Sequence, residues 1–238
     1  MSKKVIILGA SSEIGLEVVK KFLSKGWDVV AHCNSNDNEL SKIKKRLINN
    51  KLIILKFNFE KSSSLKIFFK KIKRYQFGSF INLVGYIDNV SYEKTSLESL
   101  IKSIKINSLI PLLIQKNILK NMKSNKFGRL LQVSSIGVKY GGGQNTFNYS
   151  LSKHVLEFLP SYIKNLSKYN ILSNVLRAGV VKTKIHKKIK GKNLNKRIKL
   201  IPIGRAANKN EIVNMIFFLS SENNSYITNE KVTIAGGE

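Results

Sequence analysis

Tyr149 and Lys153 are the two side chains in this sequence whose types and spacing best suit proton transfer. Residues four apart on an α-helix project from one face, so the phenol and the ammonium would lie side by side. A tyrosine ordinarily titrates near ~10, and an adjacent ammonium lowers its pKa by stabilising the phenolate. Such a phenol can protonate a carbonyl oxygen or deprotonate an alcohol. The alternative is two ordinary helix residues, since this spacing alone is frequent by chance.

A glycine-rich turn, GASSEIG at residues 9–15, is the second candidate site. It lies between a short apolar run at 5–8, predicted to be a strand, and residues 14–23, whose apolar side chains recur at the helical period. Glycines in such a turn let the backbone approach a pyrophosphate, and a helix N-terminus supplies free N–H groups. Ser11 and Ser12 have an alternative role as a helix N-cap.

The rest of the chain repeats this alternation of strand and helix. Strands are predicted at 27–31, 51–59, 79–85, 129–135, 171–179 and 231–237, and helices at 40–48, 64–75, 97–120, 149–169 and 209–221. The pattern predicts an α/β fold: a Rossmann-type, doubly wound, seven-stranded parallel sheet with helices on both faces. Nothing in the composition divides the chain, so residues 1–238 are predicted to be one domain. The basic segment 182–202 interrupts the alternation and is predicted to be an irregular loop or lid.

The amino-acid composition argues against several classes of function. The formal charge of +28 comes from 36 Lys and only 6 Arg, scattered over nearly every predicted helix. Specific nucleic-acid recognition uses mainly Arg, so it is not expected. The sequence has no apolar run long enough to span a membrane, and no cluster with the spacing of metal ligands. Cys33 is the sole cysteine, which excludes an internal disulfide and favours a cytoplasmic location.

Taken together, the motifs resemble those of the short-chain dehydrogenase/reductases along essentially the whole chain, with the 3-oxoacyl-acyl-carrier-protein reductases most similar. The matching segments are the turn at 9–15, Asn82-Leu-Val-Gly85, Asn107, Ser135 in VSSIG, the Tyr149/Lys153 pair, RAGVVKT at 177–183 and the terminal TIAGG. The sequence departs from the family at Glu13, where glycine is common, and at Ala178, where proline is usual. The family pattern favours Ser135 over Ser134 as the catalytic serine.

The resemblance implies a role for each of four catalytic residues. Tyr149 would exchange a proton with the substrate oxygen while hydride passes to or from a nicotinamide. Lys153 would also hold the nicotinamide ribose, and Ser135 would hydrogen-bond the substrate oxygen. Asn107 would hold a water that links Lys153 to solvent.

The resemblance also implies a set of cofactor-binding residues, namely Gly9, Ser11, Ser12, Glu13, Ile14, Gly15, Asn34, Ser35, Asn58, Phe59, Asn82, Gly85, Tyr149, Lys153, Gly179, Val181 and Thr183. Dehydrogenases that select NAD usually carry an acid where the second strand ends. Here no acid precedes Asp37, and Asn34 and Ser35 can hydrogen-bond a 2′-phosphate. No Arg is present there and Glu13 would repel a phosphate, but the balance favours NADP(H) over NAD(H).

The sequence is therefore predicted to encode an NAD(P)-dependent oxidoreductase that interconverts a ketone and a secondary alcohol. A 3-oxoacyl-acyl-carrier-protein reductase is the first interpretation, and a sugar or nucleotide-sugar enzyme of surface polysaccharide synthesis is the near alternative. A catalytically silent cofactor-binding regulator is the alternative of another class. The basic lid either attracts an anionic substrate or is a solvated loop. Helices 97–120 and 149–169 are apolar over much of their circumference, which predicts that part of this surface is buried against another subunit. The resemblance implies a homodimer or homotetramer.

Overall fold

One parallel sheet of seven strands forms the centre of the molecule in our computed structural model, which describes residues 2–48, 51–159, 161–191 and 193–238. The strands are β1 Lys4–Leu8, β2 Asp28–Cys33, β3 Leu52–Lys56, β4 Ser79–Asn82, β5 Gly128–Ser135, β6 Ile171–Ala178 and β7 Lys231–Ile234. They are ordered β3-β2-β1-β4-β5-β6-β7, and every neighbouring pair is parallel. The predicted Rossmann-type sheet is confirmed.

Helices cover both faces of the sheet. They are α1 Glu13–Ser24, α2 Asn38–Lys45, α3 Ser62–Ile72, α4 Leu97–Ile104, α5 Ile110–Ser124, α6 Phe147–Leu156, α7 Ser161–Lys164, α8 Leu194–Ile198 and α9 Lys209–Leu219. Among the described residues, none of the helices has the length and apolar character needed to cross a bilayer.

The sheet divides the apolar core into two layers. Val5 and Ile7 of β1 pack in the layer that contains α1 and α9, whereas Ile6 and Leu8 pack in the layer that contains α3 and α5. Alternate residues of a strand point to opposite faces, and each fully buried aliphatic side chain contributes roughly 1.5–3 kcal/mol. Because both faces of β1 are buried, each of the residues 5–8 is apolar, and the sequence shows a continuous apolar run there.

The helix predicted at 97–120 contains a π-helical turn. α4 and α5 flank this turn, Lys105–Leu109, with Asn107 in the middle of it. Pro111 has no N–H and cannot donate to the carbonyl of Asn107 in the α-helical pattern. That carbonyl instead accepts a bond of 3.4 Å from Nδ2 of Asn82. The irregular turn thus joins the helix to the end of β4.

The prediction of one continuous helix over 149–169 is wrong. α6 begins two residues earlier and ends at Leu156, α7 follows at Ser161–Lys164, and a 3₁₀ helix spans Asn165–Tyr169. Pro160, which lies outside the described residues, cannot donate an i→i−4 bond and disfavours helical geometry in the residue before it. Glu157 ends α6 with its N–H bonded to the carbonyls of Lys153 and His154.

The lid at 182–202 is less irregular than predicted. A 3₁₀ helix spans Lys184–Lys188, and α8 begins after Asn193, whose side chain accepts the N–H of Lys196 at 2.9 Å. An asparagine at the N-cap position satisfies one free amide of the first turn, which explains a helix in so polar a stretch. Lys192 of the lid lies outside the described residues.

Candidate active site

The candidate residues gather at the carboxyl ends of the strands. The turn at Gly9 follows β1, Asn82 ends β4, Ser135 ends β5, and Gly179 follows β6. The strand order reverses between β1 and β4, and ligands of open parallel sheets bind outside the strands at such a switch point. The fold therefore brings motifs that are distant in sequence to one edge.

The glycine-rich turn packs tightly against its surroundings. Gly9 has φ +73°, and a Cβ there would lie 2.8 Å from the carbonyl oxygen of Leu83. A Cβ on Gly15 would lie 2.7 Å from the carbonyl oxygens of Gly9 and Ala10. Ser12 is the N-cap of α1, and its Oγ accepts the N–H of Gly15 at 3.0 Å. Glycine is thus required at both ends of a turn that leaves the α1 N-terminus open to an anion.

Glu13 connects this turn to the lid. Its Oε2 accepts the backbone N–H of Lys184 at 2.5 Å, and its Oε1 lies 3.8 Å from Nζ of Lys209. Ile14, the next residue, packs against the core layer that contains α1. The carboxylate of Glu13 is therefore directed at the lid.

The ends of β2 and β3 place the predicted adenosine-binding residues. Asn34 and Ser35 are exposed after β2, and Asp37 is paired with Lys56 at 3.0 Å. Oδ1 of Asn58 accepts the N–H of Glu60 at 2.8 Å, so that side chain bonds within its own loop. The ring of Phe59 is buried against other aromatic side chains rather than facing the cleft.

Asn82 and Asn107 form a buried amide scaffold. Asn82 donates to Oε1 of Gln132 at 2.9 Å, and its Oδ1 accepts the N–H of Val84 at 3.0 Å. Oδ1 of Asn107 accepts the N–H of Tyr86 at 2.7 Å, and its Nδ2 donates to the carbonyl of Tyr86 at 3.0 Å. The side chain of Asn107 thus holds the irregular segment that follows Gly85.

Tyr149 and Lys153 lie one turn apart on α6, as predicted. Nζ of Lys153 is 5.8 Å from the centroid of the Tyr149 ring. It donates to the carbonyls of Val84 at 2.8 Å and Val133 at 2.7 Å, and the lysine is 2% exposed. Ser135 hydrogen-bonds Tyr149. The phenol, the ammonium and one hydroxyl therefore meet at the ends of β4 and β5.

Burial controls the protonation of this pair. Desolvation raises the pKa of Tyr149 to about 12, and the hydrogen bond from Ser135 acts in the opposite direction. Desolvation also lowers the pKa of Lys153 to about 7, against the attraction of the Glu157 carboxylate. The expected lowering of the Tyr149 pKa is not seen in the structure, because loss of hydration outweighs the hydrogen bond from Ser135. At neutral pH the tyrosine is a protonated acid.

The residues expected near the nicotinamide follow β6. The N–H of Gly179 donates to the carbonyl of Ile234 at 2.8 Å, and a Cβ there would lie 2.7 Å from Cα of Ala235. The carbonyl of Val181 accepts the Thr183 hydroxyl at 3.4 Å and contacts Nε2 of His186 at 2.8 Å. The turn is therefore well ordered although position 178 is alanine.

The sequence did not indicate a second polar cluster beside Tyr149. Asn148 donates to Oδ2 of Asp88 at 2.6 Å, and its Oδ1 accepts the hydroxyl of Thr95 at 2.6 Å. Asn148 is fully buried and precedes Tyr149 in α6. A polar residue adjacent to Tyr149 was the available signal, but its partners lie 53 and 60 residues away.

A dinucleotide fits these residues. Gly9 and Gly15 let the backbone of the turn pack closely in front of the N-terminus of α1, and Lys153 lies at the carboxyl edge of the same sheet. In the described part of the chain, no group of three or more His, Cys, Asp or Glu residues is placed to hold a metal ion.

Comparisons with known proteins agree with this geometry. A family model described as enoyl-(acyl carrier protein) reductase matches residues 9–238. The 3-oxoacyl-[acyl-carrier-protein] reductase FabG of Buchnera aphidicola subsp. Schizaphis graminum is 27% identical over 99% of this chain and 96% of its own length. The FabG of Aquifex aeolicus is also 27% identical, over 99% and 96%.

Solved structures share the fold. A 4-hydroxyisoleucine dehydrogenase mutant complexed with NADH and succinate has a TM-score of 0.86 and 24% identity, covering 98% of this chain and 97% of that chain. At this identity the likeness supports the architecture alone. The family model, the geometry of the site and the strand order, together with this shared fold, assign the chain to one family. The chain belongs to the short-chain dehydrogenase/reductase family, as an oxidoreductase with an NAD(P)-type cofactor.

Proposed function

We propose that the protein reduces a ketone to a secondary alcohol with NADPH, and that its substrate is a 3-oxoacyl thioester. The observation that carries the proposal is the buried Tyr149–Lys153 pair beside Ser135 at the carboxyl edge of the sheet. The bound nicotinamide would supply the hydride. Every proton and every orienting contact must then come from this chain.

Tyr149 is the proton donor in this proposal. Its high pKa keeps the phenol protonated at neutral pH, as reduction of a carbonyl requires. Ser135 orients the carbonyl oxygen and stabilises the charge that develops on it. Lys153 in its ammonium form favours the phenolate left after proton transfer.

Asn107 supports this pair through the backbone. Its side chain bonds both backbone groups of Tyr86, and its Nδ2 also donates to Oγ of Ser152 at 2.8 Å. We assign to Asn107 the water that relays protons from Lys153 to solvent. The π-helical turn supports this role, because it presents Asn107 toward α6 rather than toward a regular helix face.

The cofactor is proposed to bind along the turn at 9–15 and across the ends of β4 and β6, through the residues named from the sequence other than Asn58 and Phe59, whose side chains are directed elsewhere. NADPH is preferred because β2 ends in Cys33, without a carboxylate to bind a ribose 2′-hydroxyl. Asp37, the nearest acid along the chain, is neutralised by Lys56. Glu13 bonds to the lid, which reduces its repulsion of a 2′-phosphate.

The substrate class rests on the family model and on the FabG relatives, whose names specify acyl-carrier-protein thioesters. The described basic residues of the lid, including Lys182, Lys184 and Lys190, are exposed or half-exposed and suit an anionic carrier. A cytoplasmic location agrees with the buried, unpaired Cys33. Exposed apolar side chains on α4, the π-helical turn and α5, namely Leu97, Ile101, Leu109 and Leu113, support a dimer or tetramer.

A substrate screen tests the proposal. Purified protein is supplied with NADPH or NADH and with 3-oxoacyl thioesters, oxidised sugars or nucleotide sugars, and cofactor oxidation is followed at 340 nm. We expect turnover with NADPH and a 3-oxoacyl thioester. Preferential turnover of sugars would favour the polysaccharide alternative. Cofactor binding without turnover of any ketone would favour the regulator.

A further inference from the structure

Glu157 is a buried carboxylate that the proposed chemistry does not use. It is 1% exposed, and it stands four residues after Lys153 at the end of α6. A buried charge requires compensation, since the desolvation of a carboxylate costs several kcal/mol. Its partners come from the two strands that end at the candidate active site.

The carboxylate of Glu157 accepts hydrogen bonds from both strands. Oγ of Ser134 donates to Oε1 at 2.7 Å, and Nε of Arg177 donates to Oε1 at 2.8 Å and Oε2 at 3.0 Å. Nη2 of Arg177 donates to Oε2 at 2.5 Å. Ser134 and Arg177 are direct neighbours in the pairing of β5 with β6. One side chain therefore binds an adjacent residue pair across the two strands.

Each partner of Glu157 lies next to a candidate site residue. Ser134 precedes Ser135, and Arg177 precedes Ala178 and Gly179, where β6 ends. Charge-assisted and bidentate bonds of this kind are about twice as strong as neutral ones and fix orientation. The contact thus sets α6 against the ends of β5 and β6.

We infer that Glu157 is a positioning residue, which fixes α6 against β5 and β6 through Ser134 and Arg177 and keeps Lys153 in its ammonium form. The inference rests on the proposed function, because the ammonium matters to turnover only if Tyr149 is the proton donor. Direct contact with substrate is not part of the role.

The charge of Glu157 acts on a lysine that burial would otherwise neutralise. Desolvation lowers the pKa of Lys153 to about 7, and the Glu157 carboxylate opposes that shift. Because the lysine titrates near the working pH, a modest change in its surroundings changes the fraction that is charged. Loss of the carboxylate would leave Arg177 unpaired and lower the pKa of Lys153 further.

Other charged groups around α6, within the described residues, are directed elsewhere. On the elements packed against it, Lys102 pairs with Glu60, Lys105 donates to the carbonyl of Glu60, and Asp88 accepts from Asn148 and Ser103. Glu98 bonds Ser96, Lys139 lies over the Tyr140 ring, and Arg129 donates to the carbonyls of Gly128, Asn170 and Asn224. On α6 itself, His154 is exposed, and Tyr149 faces Lys153 as a neutral phenol. Glu157 is therefore the carboxylate whose removal should change the charge of Lys153.

The test is a titration of Lys153 by NMR in protein labelled with ¹³C at lysine Cε, with the resonance assigned by its loss in Lys153→Arg. Glu157→Gln should lower the midpoint by roughly half a unit or more, and Arg177→Met should raise it by leaving the carboxylate unpaired. In the double variant Glu157→Gln/Arg177→Met, the Lys153 midpoint should return toward the wild-type value. Glu157→Asp, which keeps the charge, should stay near wild type even if Glu157→Gln folds poorly.

The matched control is Glu222→Gln. Glu222 forms an ion pair with Lys3, beside the first residue of β1 and at the opposite edge of the sheet. The Glu222→Gln variant should leave the Lys153 midpoint unchanged. In turnover assays, the alkaline limb of ketone reduction should move to lower pH in Glu157→Gln by the same amount as the midpoint.

Two outcomes overturn the inference: an unchanged Lys153 midpoint in folded Glu157→Gln, or shifts of the same sign in Glu157→Gln and Arg177→Met. A purely structural contact would lower the rate equally at every pH. Failure of the proposed function is distinguishable, since it would appear as no ketone turnover by the wild type while the NMR shifts remain.

Discussion

The imidazole of His32 stacks on the phenyl ring of Phe59, with centroids 4.0 Å apart and planes 1° from parallel. Nε2 of His32 lies 2.9 Å from the carbonyl oxygen of Phe57, which can only accept, so Nε2 carries the proton. Nδ1 then accepts the N–H of Gly9 over 3.5 Å. The histidine is neutral, and it connects the glycine-rich turn to the end of β3.

Acidification should destabilise the fold through His32. Burial lowers its pKa from 6.5 to about 4, so the unfolded chain binds more protons between these values. The contribution of His32 to the free energy of unfolding is therefore fully present above about pH 6.5. It falls as the pH drops toward 4, and about 2 kcal/mol of it is lost at pH 5. Urea denaturation at pH 7 and pH 5 measures the change in the free energy of unfolding.

The control compares two histidines. His32→Gln keeps a donor for the Phe57 carbonyl and removes the titration, so its stability should fall less between pH 7 and pH 5 than that of the wild type. His154 is exposed, and His154→Gln should behave as wild type. An equal loss in His32→Gln and the wild type would assign the acid sensitivity to other groups.

Tyr149→Phe should reduce turnover at least ~10²-fold, because the variant has no proton to donate to the carbonyl oxygen. The ring stays the same size, so cofactor affinity should be nearly unchanged. Rates come from NADPH oxidation and affinities from the quenching of protein fluorescence. Retention of more than about a tenth of the wild-type rate would exclude Tyr149 as the acid.

The order of strands and helices in this protein could be predicted, because each of these elements follows from a pattern of neighbouring residues. The continuous apolar run before Gly9 and the helical period after it defined the first βαβ unit, and the same alternation predicted all seven strands. The spacing of Tyr149 and Lys153 placed both on one helix. These features depend on neighbours within a few residues, which a sequence displays directly.

The contacts between distant segments were not predictable in this way. Glu157 finds Ser134 and Arg177 at separations of 23 and 20 residues. Nothing local distinguishes a buried glutamate from a solvated one in so charged a chain. The balance between burial and charge at Tyr149 likewise depends on how completely the fold removes water, which the motif does not contain.

Gly15→Ala should destabilise the cofactor turn. The added Cβ would lie 2.7 Å from two carbonyl oxygens, so backbone must move, and overpacking of this kind costs about 1–3 kcal/mol. Urea denaturation and dinucleotide titration should both report the change. Gly143→Ala is the control, because its nearest contact would be Oγ1 of Thr146 at 3.6 Å. Equal stability of the two variants would contradict the tight turn.

Asn34→Asp should change the cofactor preference. Asn34 is exposed directly after β2, where a carboxylate could accept the ribose 2′-hydroxyl of NADH and repel the 2′-phosphate of NADPH. Cys33, the last residue of β2, is buried in the core and is not a suitable position for a charge. We expect the ratio of kcat/KM for NADH to that for NADPH to rise by about tenfold or more.

Asn34→Ala separates the added charge from the loss of the asparagine side chain. It removes the amide without adding a negative charge, so the cofactor ratio should stay within about threefold of wild type. If Asn34→Ala and Asn34→Asp shift the ratio equally, loss of the amide controls selectivity rather than repulsion of the 2′-phosphate. If neither shifts it, the 2′ position must be bound by residues other than Asn34, and the preference for NADPH would lose its physical basis.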